Sequence, residues 1–194
     1  MYGMVNQALE ALVREKFGDG VWESIKERAA VNEVAFVTMH EYPDEVTYGL
    51  AGALSEETGI AVPDLLRAFG VYWVSFADRG PWGKLMRESG KCTYELLAAL
   101  DAMHARIAMS FPALKPPSFR VHADPDPKHA GCKLLEYRSH RPGLAPFVVG
   151  LLEGMGSMFG ERVDVEQVAA RGESGAECDV FRVRAVSVKG VVSA

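Results

Sequence analysis

The chain has little cysteine, no long hydrophobic run and no excess of positive charge, and each shortage closes a class of function. Its three cysteines, Cys92, Cys132 and Cys178, stand far apart and form no Cys-x-x-Cys pair. Neither a disulfide framework nor a cysteine-built metal centre is expected, and a reducing cytoplasm is the natural setting. Cys132 alone stays open as a reactive thiol, if exposed. The longest apolar stretches, such as Leu144–Leu152, fall well short of the roughly 20 residues needed to span a bilayer. The opening Met1-Tyr2-Gly3-Met4-Val5-Asn6 has no basic stretch followed by an apolar core, so no signal peptide is expected. With 21 Lys and Arg against 26 Asp and Glu, the formal net charge is -5, which argues against a nucleic-acid backbone as partner.

What is present is ample core material. Of 194 residues, 48% are hydrophobic, enough for one domain, or two small lobes, with a buried pocket. Val5, Ala8, Leu9, Leu12 and Val13 recur at helical spacing until Gly18-Asp19-Gly20. Further helices are predicted over Val21–Ala30, over Asp44–Thr58 closed by Gly59, and from Leu65 to about Phe76, the last opened by Pro63-Asp64. Arg79-Gly80-Pro81 is a break. Thr93 is then expected to cap a long helix to about Phe111, with Glu95 in its first turn. Its inward stripe is Leu96, Leu97, Leu100, Met103, His104, Ile107 and Ala108, and Pro112, Pro116 and Pro117 end it.

The period then changes. Ser118–Ala123 and Lys133–Arg141 alternate as strands, Leu144–Phe159 is an apolar helix, and Arg162–Arg171 and Asp179–Val186 supply two more strands. Helices first, then strand–strand–helix–strand–strand, predict an α+β fold with a four-stranded antiparallel sheet.

Two features carry chemistry. On a strand over Lys133–Arg141, Tyr137, Ser139 and Arg141 would share one face, because side chains alternate with period two. Two hydroxyls and a guanidinium on one face make an anion receptor, and the Arg fork matches a carboxylate. A bland reading of the same residues is an exposed strand face serving the following turn. The second feature is His104. A histidine on an inward helix face is more often a core residue than a metal ligand. Here Leu97, Leu100, Ile107 and Ala108 would pack against a flat apolar plane, and Asp101, one turn earlier, is either an acceptor for the other ring N–H or a solvated carboxylate. A haem needs an anion receptor for its propionates and a histidine for its iron, and the two features together favour a haem pocket.

These residues resemble the H-NOX (haem nitric oxide/oxygen binding) family, bacterial relatives of the haem domain of soluble guanylate cyclase. The resemblance runs through Met1-Tyr2-Gly3-x-Val5-Asn6, Val21-Trp22-Glu23, Thr47-Tyr48, Phe69-Gly70, Leu100-Asp101-x-x-His104, Pro117-Ser118-Phe119, Tyr137–Arg141 and Gly143-Leu144. It implies one haem-binding unit over residues 1–186, with a helical lobe about 1–62, a haem-ligating lobe about 63–186, the haem buried between them, and a tail 187–194. It further implies haem b as cofactor, His104 as the iron ligand, Tyr137, Ser139 and Arg141 as the propionate clamp, and Pro117 as a residue pressing on the porphyrin. Leu100 and Leu144 would pack on the haem, and Val5, Leu9, Trp73 and Phe147 would line the distal side where gas binds; plain core is the alternative for Val5, Leu9 and Phe147.

Oxygen-binding members of that family place a tyrosine on the distal helix. Phe147 stands at the matching position, and Leu144–Val149 offers no donor side chain. The expectation is a sensor of NO and CO that rejects O2. NO would weaken the Fe–His104 bond, move the His104 helix and alter affinity for a separate effector, such as a histidine kinase or a cyclic-di-GMP enzyme. One alternative is an O2 sensor using Trp73 or Tyr72 as donor; another is a haem-free module for an apolar carboxylate. Haem enzymology is not expected, since the distal wall carries no acid or base.

Overall fold

The computed structural model describes residues 1–111 and 114–188. Its elements run α1 (Gly3–Phe17), α2 (Asp19–Arg28), α3 (Asp44–Thr58), α4 (Val62–Arg79), α5 (Gly83–Ser89), α6 (Thr93–Ser110), β1 (Ser118–Ala123), β2 (Lys133–Arg138), α7 (Ala145–Phe159), β3 (Glu161–Ala169) and β4 (Asp179–Ser187). The strands form one antiparallel sheet in the order β1-β2-β4-β3, so the α+β expectation holds. No single helix among the described residues is long and apolar enough to cross a membrane.

Two cores organise the chain. Leu9, Leu12, Val13, Trp22, Ile25, Leu50 and Leu54 of the first three helices pack with Leu65 and Phe69 from the start of α4. Leu96, Leu97 and Leu100 of α6 and Val148 and Leu152 of α7 pack on the inner sheet face, Phe119, Leu135, Tyr137, Phe181 and Val183. Val74 and Ala77, from the far half of α4, join this second core. One helix therefore serves both. Its crossing with α7 is close because glycines stand where the backbones meet. A Cβ at Gly70 would overlap the Phe147 carbonyl, and one at Gly150 the Arg67 carbonyl.

The helices follow the predicted periods, with three departures. The second strand ends at Arg138, not at Arg141, and Ser139, His140 and Arg141 lie in a bend that continues to Gly143. Pro142 cannot donate to a ladder, and Gly143 takes a left-handed turn at φ 74°. Thr93 is the first helical residue of α6 rather than its cap. Its backbone N–H donates to the Glu161 carboxylate at 2.8 Å, Glu95 accepts from the Lys91 N–H at 2.8 Å, and the Thr93 hydroxyl is buried without a partner. Finally, the seven-residue α5 follows the break at Gly80-Pro81, where no helix was predicted. Pro112 and residues 189–194 of the tail lie outside the described residues.

Candidate ligand-binding site

A cavity of about 520 Å³ opens between the two cores. That volume is in the range of small-molecule and cofactor pockets. One wall is α6 and the β1–β2 hairpin, contributing Leu100, Met103, His104, Ile107, Pro116, Pro117, Phe119 and Tyr137. The other is α1, α4, α5 and α7, contributing Met4, Val5, Leu9, Phe69, Trp73, Val74, Met86, Leu144, Phe147 and Leu151. Around the mouth stand Met1, Tyr2, Glu41, Asp44, Glu45, Tyr48, Lys115, Ser139, His140 and Arg141. Every predicted site residue, from Val5 to Phe147, therefore lines this one cavity. Tyr72 does not. Its ring stacks on Phe76 at 6.4 Å under the Arg79 guanidinium, which removes it as a donor to the site.

His104 presents from the inward stripe of α6, and its Nδ1 is buried with no hydrogen-bond partner. Burial lowers its pKa below the ordinary value, and the Asp101 charge opposes that only in part. The ring is thus held neutral, the form in which an imidazole nitrogen can ligate a metal. Asp101 does not take the ring N–H. Its carboxylate accepts from the Phe119 N–H at 2.7 Å and the Ser118 hydroxyl at 3.1 Å, fastening α6 to the start of β1. The Phe119 ring it positions lies 5.8 Å from His104 and 5.4 Å from Tyr137, so an aromatic column runs from the histidine to the tripod of Tyr137, Ser139 and Arg141.

The tripod converges even though the strand stops short. Tyr137 is 4% exposed, and burial raises its pKa against the Ser139 hydroxyl and the Arg141 charge, so it stays a neutral donor. Ser139 Oγ accepts the Arg141 backbone N–H at 3.1 Å. The Arg141 side chain reaches the mouth through the bend and donates from Nε to Asp44 Oδ2 at 2.8 Å. The other Asp44 oxygen accepts from the Met1 amino group at 2.5 Å, which also donates to the Tyr42 carbonyl at 2.6 Å. Burial works against the Asp44 charge, but these cations outweigh it and its pKa falls below the usual value. Tyr48, one turn further along α3, donates to the Pro142 carbonyl at 3.1 Å, and the Arg171 guanidinium donates to the Ser139 carbonyl. The bend is therefore held from two sides.

Sequence reasoning missed several of these residues. Asp44 reads as an ordinary acidic residue in a helix's first turn, and nothing local joins it to Arg141. Met86 comes from the unpredicted α5 and Trp82 directly precedes that helix, its indole donating to Met4 Sδ at 3.3 Å. Cys132 is buried, so the exposure on which its reading as a reactive thiol depended is not met, and Cys92 and Cys178 stand directly before α6 and β4. Among the described residues, no group of three His, Cys, Asp or Glu side chains is placed to hold a metal ion.

Comparison with known proteins points one way. The family model described as haem-NO-binding matches residues 2–167. Soluble guanylate cyclase gcy-35 of Caenorhabditis elegans is 30% identical over 159 residues, covering 78% of this chain and 22% of that protein. Soluble guanylate cyclase 89Db of Drosophila melanogaster is 26% identical over 160 residues, covering 82% and 23%. The chain thus spans about a quarter of the length of these relatives. Among solved structures, the H-NOX protein from S. oneidensis in the Fe(II)NO state superposes with a TM-score of 0.82 at 18% identity, covering 96% of this chain and 100% of that one. The Fe(II) unliganded H-NOX protein from K. algicida superposes at 0.79, also at 18% identity, covering 98% and 99%.

Proposed function

The chain belongs to the haem-NO-binding family, and from that premise we propose that it is a gas sensor that holds haem b, binds NO and CO, and discriminates against O2. The carrying observation is that His104, with a buried and unpartnered ring nitrogen, shares one cavity with Tyr137, Ser139 and Arg141. The residues fit the group: apolar walls suit a flat macrocycle, a neutral imidazole suits iron, and the donors at the mouth suit its carboxylates. When bound, haem would supply an iron that can take up a diatomic gas.

The chain's own residues do the rest. His104 would hold the iron, Tyr137, Ser139 and Arg141 would hold a propionate, and Pro117 would press on the porphyrin beside Leu100. Val5, Leu9, Phe69, Leu144 and Phe147 present no hydrogen-bonding side chain on the other wall, where we read Trp73, packed on Phe69 and Phe76, as wall and not as donor. Bound O2 carries partial negative charge and depends on a donor there, whereas NO depends on it far less, and this wall favours NO and CO. His104, carried on α6 beside Pro117 and Phe119, would be the residue through which gas uptake reaches that helix and shifts it. That shift is the output: a separate effector, such as a histidine kinase or a cyclic-di-GMP enzyme, must bind the two states with different affinity. The wall lacks a catalytic acid or base, so we read the chain as a sensor and not an enzyme, acting in the cytoplasm as one unit over residues 1–186, with its helical lobe at about 1–62.

The test is a gas series on the reduced, haem-loaded protein freed of reductant. CO and NO should each change the absorption spectrum and O2 should leave it unchanged. A stable oxy complex would overturn the selectivity and favour the second reading, in which Trp73, on the cavity wall, donates to O2.

A further inference from the structure

A ligand with two carboxylates needs more positive charge at this mouth than Arg141 brings. The Arg141 side chain is already paired with Asp44 at 2.8 Å, so the clamp and its partner carboxylate together carry no net charge. The Met1 amino group shares that same carboxylate and donates to the Tyr42 carbonyl, so the three charged groups together leave one positive charge to meet two ligand carboxylates. With Nε given to Asp44, Arg141 keeps its Nη donors for one ligand carboxylate. Glu41 and Glu45 also line the cavity, and their charge repels any carboxylate that approaches the rim.

Lys115 answers this shortage. It lines the same cavity, its side chain is exposed, and among the described residues it has no ion-pair partner. The topology sets it beside the clamp. The β1–β2 ladder ends with Ser118 paired to Arg138. Lys115 stands three residues before that pair on the entering chain, and Arg141 stands three residues after it on the leaving chain. The two cations therefore flank the same end of the hairpin. Pro116 and Pro117 follow Lys115 directly, and a residue before proline is confined to extended backbone. Its position is fixed by chain stiffness, while its long stem lets the ammonium reach a carboxylate as a point charge.

We propose that Lys115 is a second carboxylate-binding residue at the cavity mouth, taking one haem propionate while Tyr137, Ser139 and Arg141 take the other. This rests on the haem reading above. The experiment measures haem loss from the loaded protein to excess apomyoglobin, for native haem and for its dimethyl ester, in wild type, Lys115→Met and Lys115→Arg. Lys115→Met should lose native haem about fivefold faster, the upper end for an exposed ion pair, and Lys115→Arg should match wild type. With the dimethyl ester, whose carboxylates are capped, all three should lose haem at one rate. Equal loss of native haem from wild type and Lys115→Met overturns the proposal, as does an acceleration that persists with the ester, which would mark lost packing. A wild-type protein with no Soret band would instead overturn the haem reading and this proposal with it.

Discussion

The two walls of the cavity are built by different means. On the α6–hairpin side, position is set by polar bonds between particular atoms: Asp101 to Phe119 and Ser118, Arg141 to Asp44, Arg171 to the Ser139 carbonyl. On the α1–α4–α7 side the cavity face is set by shape, with the Arg67–Glu153 ion pair joining α4 to α7 away from the cavity. Phe69 tilts on Phe147 at 5.3 Å, Trp73 lies edge-on to Phe69 at 6.3 Å, and Gly70 and Gly150 let the α4 and α7 backbones touch. A wall of directed bonds can hold a charged, metal-bearing group in one orientation. A wall of close-packed apolar surface can exclude water and polar ligands, and so discriminate. On the proposed function, the first wall would hold the group and the second would select its gas.

The largest expected effect lies on the holding side. His104→Gly should weaken haem retention at least about 100-fold, since even residues that only orient a metal ligand cost 10- to 100-fold when lost. Imidazole added to the variant should restore much of it. Haem transfer to apomyoglobin reads both, and unchanged retention would break the distinction between the walls.

On the selecting side, Gly150→Ala meets backbone that cannot yield, the Arg67 carbonyl and the Gly70 Cα. Overpacking of this kind should cost about 2 kcal/mol even after the gain in helix propensity. For a chain of this size, that lowers the Tm by about 4–8 °C, measurable by calorimetry of the apo-protein. An unchanged Tm would mean that the helices separate easily and that shape does not govern this wall.

A milder change adds a hydroxyl to the selecting wall. Phe147→Tyr puts a hydroxyl among the residues lining the cavity, and one hydrogen bond to bound O2 should raise O2 affinity about tenfold. CO affinity should change little. Oxygen titration of the reduced variant checks it, and equal gains for both gases would show that pocket size rather than hydrogen bonding was altered.

The smallest effect is a pH dependence of the apo-protein. Burial lowers the His104 pKa, so between the folded and unfolded values the folded chain holds fewer protons than the unfolded one. The stability due to the neutral ring is complete above about 6.5, the unfolded value, and is lost as pH falls through the folded one. Denaturant melts from pH 5 to 8 should show this decline in wild type and a flatter profile in His104→Gly. A parallel decline would place the titrating group elsewhere.

The walls also differ in how far they could be read from the amino acids. His104, Tyr137, Ser139 and Arg141 stand out because polar residues in apolar or alternating stretches need a reason, and their shared cavity follows from helix and strand periods. The route to that cavity was only half legible. Period two carries Tyr137 to Ser139, but Arg141 arrives through the bend at Pro142-Gly143 and is tied by Asp44, 97 residues earlier. Asp101 was visible as a partner for something. That it serves β1 and not the ring depends on a loop closing 17 residues away, beyond local pattern. The apolar wall was legible only as a class. Any helix stripe of Val, Leu and Phe reads as core, and the direction of Tyr72 against Trp73 turns on one position of helix rotation. The seven-residue α5 is too short for a period to declare itself, which is why Trp82 and Met86 went unforeseen.

The account stands on a single bond from the holding wall to the bound group. Resonance Raman spectroscopy of the reduced, haem-loaded protein would test it most directly. An iron–histidine stretching band in wild type, absent in His104→Gly and altered by added imidazole, is the predicted result. A band that persists in His104→Gly would move the ligand to another residue, and a protein that takes up no haem at all would leave a module for some other apolar carboxylate.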